Sequence, residues 1–400
     1  MVTIFKYSKA FIKNRKIYGA GKRIINGADK MKKKIIILTA ISIILWAGVA
    51  PISATFEDFQ PMNTGLGRGT LYVGGTGPSN YTTIQEAITD ATNDDTIFVF
   101  NGTYNENINI PKRLNIIGED RDTTIINGVA GEDAVVLILL GQVEISDFTI
   151  QGDSSGQDGI QVVSLMQNVV INHNIIKDCA YGILLQVTTE SETISSNIIT
   201  DNDFAGIQLQ ESDRNNIINN VIENNGGWGI SLNSLSKQNN IVENFVSNNN
   251  GGIHLSLNSE QNEITDNVIS DNSLEGLLIE GLSGSNTIER NNIINNLAGI
   301  KISGGSHSNV INGNNIENNS IEGLLFESSN TNTITNNNFI GNARHAKYRF
   351  SSRNVWDANY WDNWIGFIFE SPIFQSFPKI IKGIFLVNID ANPALEPYEI

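Results

Sequence analysis

Cysteine occurs once in the 400 residues, at Cys179, so no internal disulfide can form and no multi-thiolate site exists. Methionine is nearly as scarce. Only Met62 and Met166 follow Met31, which leaves no soft-ligand set. The four histidines, His173, His254, His307 and His345, are scattered without the spacing of a metal pair, so no metal site is expected. Basic residues are few outside the N-terminus. The first 34 residues hold 11 of the 26 Lys and Arg but only one of the 42 acids, Asp29, leaving 15 − 41 = −26 for the rest. Such a body repels phosphate backbones and argues against a nucleic-acid partner. It can attract divalent cations or basic partners, although a solvated acidic surface is the simpler account. Of the eight prolines, four (Pro372, Pro378, Pro393 and Pro397) lie in the closing stretch, which reads as an extended arm. Long apolar runs are missing too. Residues 35–50 and 380–389 fall short of the ~20 residues a spanning helix needs.

The N-terminus has the order of an export signal: Lys32, Lys33 and Lys34, then the apolar run 35–50, then Ser53 and Ala54. Counted from Met31, residues 31–54 form a signal peptide. Ile52 suits a cleavage site poorly, which keeps an uncleaved membrane anchor as the alternative. Residues 1–30 are a doubtful extension, either a basic cytoplasmic flank or sequence ahead of a true start at Met31, and the second is favoured. Residues 55–70 read as a linker, with Gly65, Gly67 and Gly69 close together.

Against these absences stands one strong regularity. A Gly followed by alternating apolar residues recurs at Gly159, Gly182, Gly206, Gly229, Gly252, Gly276, Gly299 and Gly323, at intervals of 23 or 24. Between these glycines runs the pattern Ile-x-x-Asn-x-apolar-x-x-Asn. Its Ile column is Ile171, Ile194, Ile217, Ile241, Ile264, Ile288, Ile311 and Ile334. Its first Asn column is Asn174, Asn197, Asn220, Asn244, Asn267, Asn291, Asn314 and Asn337. A second column runs Asn202, Asn225, Asn249, Asn272, Asn296, Asn319 and Asn342, with Cys179 one coil earlier as a small thiol in a ladder position. A third runs Asn215, Asn239, Asn262, Asn286, Asn309 and Asn332, while Phe148 and Asp153 mark a less regular earlier coil.

A period of this length means a solenoid. Each repeat supplies three short strands whose alternation sends one set of side chains inward, and coils stacked ~4.8 Å apart pair every strand with its equivalents. Ile columns then fill the interior, where β-branched chains suit the pleat. The Asn columns are expected at the corners, in left-handed backbone conformation, bonding locally and up the stack. Leucine-rich repeats share the period and an Asn column, but Ile dominates here and no part of the repeat has helical periodicity. The expected fold is all-β, a single-stranded right-handed parallel β-helix over residues 71–345, of ten or eleven coils and roughly 50 Å. The segment 83–91, with Ile84, Ala87, Ile88 and Ala91 on one face, is a short amphipathic helix that caps the open first coil. Residues 346–400 form a C-terminal cap and arm, with Trp356, Tyr360, Trp361 and Trp364 plugging the far end of the core. A monomer is expected.

These repeats resemble those of the pectin-lyase-like superfamily and, more narrowly, the NosD-like β-helix proteins. The front end, Tyr81-Thr82-Thr83-Ile84-Gln85-Glu86-Ala87-Ile88 followed by Asp95-Thr96-Ile97-Phe98-Val99, is similar to their cap and first coil. So is Asn354-Val355-Trp356-Asp357-Ala358-Asn359-Tyr360-Trp361-Asp362 near the tail. The resemblance covers roughly residues 71–400 and is specific for fold. It implies little about activity, because the family includes carbohydrate binders, hydrolases, lyases and surface proteins.

Chemistry in such a solenoid is expected on an outward strip of strand residues, the second and fourth after each Gly. The pairs are Gln161 and Val163, Leu184 and Gln186, Gln208 and Gln210, Ser231 and Asn233, His254 and Ser256, Leu278 and Glu280, Lys301 and Ser303, and Leu325 and Glu327. Its ligand-binding candidates are Gln186, Gln208, Gln210, Ser231, Asn233 and His254. Its titratable members, and hence weak catalytic candidates, are Glu280, Glu327, His254 and Lys301. Glu280 and Glu327, two coils apart, should stand roughly 9.6 Å apart, which an inverting glycosidase could use and chance could equally supply. No Asp cluster lies beside an Arg, so no lyase-type Ca²⁺ and base set is evident, and no acid and base are expected side by side. The loop Glu119-Asp120-Arg121-Asp122 offers oxygens for Ca²⁺ but reads first as a turn, and no cofactor is expected. Sequons begin at Asn80, Asn101 and Asn318. The leading expectation is an exported or cell-surface, non-catalytic protein that binds polysaccharide or serves as an envelope component. The alternatives are a polysaccharide lyase or hydrolase on the outward strip and, as the resemblance implies, an accessory factor in metal-site maturation.

Overall fold

A chain that repeats Ile every 23 or 24 residues can bury all of those side chains only by stacking them, and it does. In the computed structural model Ile171, Ile194, Ile217, Ile241, Ile264, Ile288, Ile311 and Ile334 pair successively, each with the next, in unbroken parallel register. All of them are fully buried. Residues 69–153, 156–163, 167–186, 190–364, 378–382 and 387–400 are described. The proposed signal segment lies outside them. No helix among the described residues is long and apolar enough to cross a membrane.

Among the described residues, three sheets of 15, 12 and 11 strands run the length of the solenoid, and the chain visits them in the same order in each coil. We call them sheets A, B and C in that order. The first strand, Thr70–Val73, and the next strand of sheet A, Asp95–Val99, pair directly. Helix α1, Ile84–Asp90, lies between them in sequence and buries Ile84, Ala87 and Ile88 against the first coil. Its ends are tied down by charge. The Glu106 carboxylate accepts from the backbone N–H groups of Ile84 and Gln85 at 2.8 and 2.9 Å. Lys112 Nζ donates to the carbonyls of Ile88, Thr89 and Ala91 at 3.0, 2.7 and 2.7 Å. Both contacts complement the helix dipole and satisfy groups with no partner inside the helix.

Stacking continues past residue 345. Strands Val355–Asp357 and Tyr360–Trp361 add a further coil to sheets A and B, for twelve turns counted on sheet B. Trp356 takes the place of Ile334 and Trp361 that of Phe339, and both are buried. Phe339 and Trp361 stack with ring centroids 4.4 Å apart and planes 10° apart, so large rings close the end of the aliphatic core. Beyond them a hairpin pairs Lys379–Lys382 with Val387–Asp390 and docks on sheet A at Trp356. The last residues lie along sheet B, where Asn338 and Tyr398 exchange two hydrogen bonds of 2.9 Å.

The asparagine columns are buried ladders, and their chemistry is uniform. Asn244 is typical. Its backbone N–H and its Nδ2 both donate to Asn267 Oδ1, at 2.9 and 3.0 Å. Nδ2 also reaches the carbonyls of Ile217 and Val242 at 2.8 and 3.0 Å, and Oδ1 accepts twice from Asn220 at 3.0 Å. One side chain thus satisfies backbone groups in its own coil and the one before, and bonds to the Asn side chain of the next. The expected left-handed conformation belongs instead to the residue before each ladder Asn, for instance Asn219, Glu243, Asp266 and Arg290 at φ 53–59°. That preceding residue makes the corner, while the Asn keeps its amide pointed inward, where it locks the corner to its neighbours. The first ladder extends through Asn359 and ends on Asp390, whose Oδ2 accepts from the Asn359 N–H, Asn359 Nδ2 and Trp361 Nε1, each at 3.0 Å. A further ladder of buried serines, including Ser236, Ser259, Ser283 and Ser306, runs beside the third Asn column.

Two ladder positions carry other residues. Cys179 accepts the ladder role through its N–H to Asn202 Oδ1 at 3.1 Å, and burial pushes its thiol up to about 12, so it is an inert filler. Glu192 heads the third column. It is fully buried, Oε2 accepts from the Val169 N–H, and Oε1 has no hydrogen-bond partner. Burial pushes its carboxyl up to about 7 against an opposing bond from Val169.

Replacing Asn267 with Leu leaves the donors of Asn244 and the carbonyls of Ile241 and Thr265 unmet, at ~1–3 kcal/mol for each stranded group. Thermal melting should show a loss at least ~2 kcal/mol larger than Asn250→Leu, an exposed corner change, and equal losses would remove the ladder's role. Glu192 binds its proton more tightly folded than unfolded. Its favourable contribution is therefore complete below pH 4.5 and is lost as pH rises through about 7. Glu192→Gln should raise stability at pH 8 by about 3 kcal/mol and leave pH 4 nearly unchanged. A denaturation series across pH that is identical for the two proteins would contradict this.

Candidate functional site

The repeated Gly sets the geometry of sheet C. A Cβ on Gly182 would sit 2.6 Å from the carbonyl oxygen of Gly206, 2.5 Å from Ile199 Cγ2 and 3.0 Å from Asn202 Nδ2. Glycine there lets the strand close onto the next coil and onto the second Asn ladder. The residues after it alternate inward and outward, and the residue before it also turns its side chain outward. Sheet C therefore presents three outward columns.

The second-position column is less open than expected. Gln161, Leu184, Gln208, Ser231, Leu278 and Leu325 are all buried, because side chains stacked at coil spacing cover one another. Gln208 and Ser231 are thus poorly placed for a ligand. The open surface comes from the fourth-position column, with Gln210 exposed and Gln186 and Asn233 half-buried, and from the residues ahead of the Gly. Gln161 Nε2 donates to Gln186 Oε1 at 3.1 Å, and Asn233 Oδ1 accepts from the Ser256 hydroxyl. Beside these amides lies an aromatic row. Tyr181 and Phe204 pack with centroids 5.3 Å apart, and Phe204 is 54% exposed. In the next coil Trp228 stacks on the His254 imidazole at 4.7 Å and 25°. The residue after it in register is Gly251, whose missing side chain leaves room for the indole: a Cβ would meet that ring at 2.3 Å.

The four titratable candidates fall into two contact groups. His254 Nε2 lies 3.3 Å from Glu280 Oε1, so an acid and a base do stand side by side, contrary to the expectation from column positions. They belong to adjacent coils, and the side chains lean across the strands to meet. Lys301 Nζ lies 3.5 Å from Glu275 Oε1 and 3.8 Å from Glu327 Oε2, and Arg349 Nη1 lies 2.7 Å from Glu327 Oε1. Farther on, Glu322 takes both Arg344 at 2.9 Å and Lys347 at 3.4 Å. Glu275, Glu322 and Trp228 stand outside the positions after each Gly on which the outward strip was expected. Their shared place one residue before the Gly was the available signal.

The His254 hydrogen bond holds the Glu280 carboxyl below its ordinary range, helped by the charges of His254 and Lys301 and opposed by burial. A glycosidase acid needs the opposite shift. The shift at Glu280 therefore suits a base rather than a glycosidase acid, and Glu327 is held by two cations. Among the described residues no group of three or more His, Cys, Asp or Glu side chains could hold a metal ion.

A model of the right handed beta helix region matches residues 120–268, 185–339 and 255–369, more than half of the chain. The chain belongs to the right-handed β-helix family. Among solved structures it is similar to the A-module of mannuronan C-5 epimerase AlgE6 of Azotobacter vinelandii. That match has 17% identity and a TM-score of 0.60, over 68% of this chain and 86% of that one. It is likewise similar to the AlgE4 A-module of the same organism, with 18% identity and a TM-score of 0.57, over 68% of this chain and 90% of that one. At such identities the likeness is one of fold. No curated relative matches the chain.

His254→Leu removes the hydrogen bond that favours the Glu280 carboxylate, so the Glu280 titration followed by carbon NMR should move up toward the ordinary carboxylate range. An unmoved titration would mean that the pair is not formed in solution.

Proposed function

We propose that this protein is exported and binds an extended polysaccharide along sheet C, across the coils that carry Tyr181, Phe204, Trp228 and His254. The observation that carries this reading is the aromatic row with amides and hydroxyls beside it. Rings present apolar faces to the C–H side of a pyranose, and Gln186, Gln210 and Asn233 offer both donors and acceptors to its hydroxyls. The coil rise of ~4.8 Å is close to the length of one sugar unit, so consecutive coils can take consecutive residues of a chain. The signal-like segment 31–54 supports export. The similar A-modules named as mannuronan epimerases favour a uronic-acid polymer as the first one to try.

A second reading rests on the His254–Glu280 pair beside Lys301. A histidine held by a carboxylate can take a proton, and a lysine nearby can offset charge that develops on a sugar carboxylate, which suits proton abstraction rather than hydrolysis. Affinity electrophoresis against uronic-acid and neutral polysaccharides tests the first reading. Retardation on one of them that is lost in Trp228→Ala and Phe204→Ala, with melting unchanged, is expected. The absence of retardation on all of them would overturn it. Unsaturated products, or exchange of ring hydrogens with heavy water, that vanish in His254→Gln would establish the second reading in place of simple binding.

A further inference from the structure

The far end of sheet C differs from the rest of this acidic molecule. In the last strand of that sheet, Arg344–Arg349, His345 stands where earlier coils have Gly. Between this strand and the C-terminal hairpin lies a cavity of about 460 Å³, lined among others by Arg344, His345, Lys347, Trp361 and Lys379. Its size is in the range of small-molecule sites. Three basic side chains therefore meet in a body that carries 41 acids against 15 bases beyond residue 34.

Their partners do not balance them. Glu322 takes both Arg344 and Lys347, at 2.9 and 3.4 Å. Asp362 Oδ1 is held at 2.5 Å by His345 Nε2. Lys379 bonds to Asn363 Oδ1 and lies 5.7 Å over the Trp361 ring, a neutral pair of contacts. Among the described residues, three cations against two carboxylates leave one positive charge. Burial pushes both His345 and Lys379 down, with the Asp362 charge opposing in each case. A neutral His345 that donates Nε2–H to Asp362 keeps Nδ1 as an acceptor, and that buried atom has no hydrogen-bond partner. The cluster thus lacks one negative charge and one hydroxyl donor.

We infer that this cavity is a binding site for a small hydroxylated monoanion, a sugar acid of single-ring size, with its carboxylate on Lys379 and a hydroxyl on His345. The site is separate from the aromatic row on sheet C and does not depend on the polysaccharide reading. Calorimetric titration of the full chain with glucuronate, glucose, glucose 1-phosphate and acetate tests it. Glucuronate should bind, glucose should not, and acetate and glucose 1-phosphate should bind more weakly than glucuronate. Lys379→Met should weaken glucuronate by roughly tenfold or more, the scale of one charge-assisted bond, and Lys379→Arg should restore most of it. Trp228→Ala should leave it unchanged. Equal binding of glucose, tighter binding of glucose 1-phosphate, no binding of glucuronate, or indifference to Lys379→Met would each overturn the assignment. Because Lys379 projects from the terminal hairpin, melting curves of both variants distinguish a lost site from a lost fold.

Discussion

The buried asparagine amide is the interaction on which this solenoid depends. Hydrogen bonds between strands hold the flat parts of each coil, but a chain that turns three corners per coil leaves backbone groups facing inward with no water to meet them. Each unmet group costs ~1–3 kcal/mol, and the number of corners would multiply that cost along the stack. Asn meets it because its short side chain presents an acceptor and two donors at the height of the neighbouring coil, as Asn267 does for Asn244, Ile241 and Thr265. The same bonds fix register. A coil that slipped by one residue would lose its ladder and turn its Ile outward in one step.

With the interior committed to repetition, variation is left to the outward columns. On sheets A and B these positions carry mixed polar and apolar residues. On sheet C side chains from three outward columns touch, and there the aromatic row, the His254–Glu280 pair and the Lys301–Glu327–Arg349 run appear. The site is thus made by contacts between coils, and residues some 25 apart in sequence become neighbours. The ends follow a different logic. A helix covers one, while Phe339, Trp356, Trp361 and the Asp390 ladder terminus close the other.

Much of this was legible in the sequence, and what was missed has physical reasons. The Ile and Asn columns repeat because every coil needs them, so the fold could be read directly. Asn354 and Asn359 continue two of those columns at a spacing of 22, but the Gly marker had already given way to His345, where no further sheet C strand among the described residues demands close approach. The serine ladder repeats as faithfully and was overlooked beside the more conspicuous asparagines. Left-handed corners were assigned to Asn by its propensity, although the amide's inward bonding shifts that conformation to the preceding residue, where Glu243 and Arg290 adopt it. Glu192 and the His254–Glu280 pair could not be foreseen from columns alone, since burial and the lean of a side chain are properties of the assembled stack.

Amide hydrogen exchange of the intact chain tests the central claim most directly. If side-chain ladders hold the corners, the backbone N–H groups of Asn220, Asn244, Asn267 and Asn291, which donate to amide oxygens one coil on, should exchange as slowly as those of the strands beside them, and all should open together. Corner asparagines that exchange orders of magnitude faster than the adjacent strand amides would show that the sheets alone carry the structure, and would contradict the account.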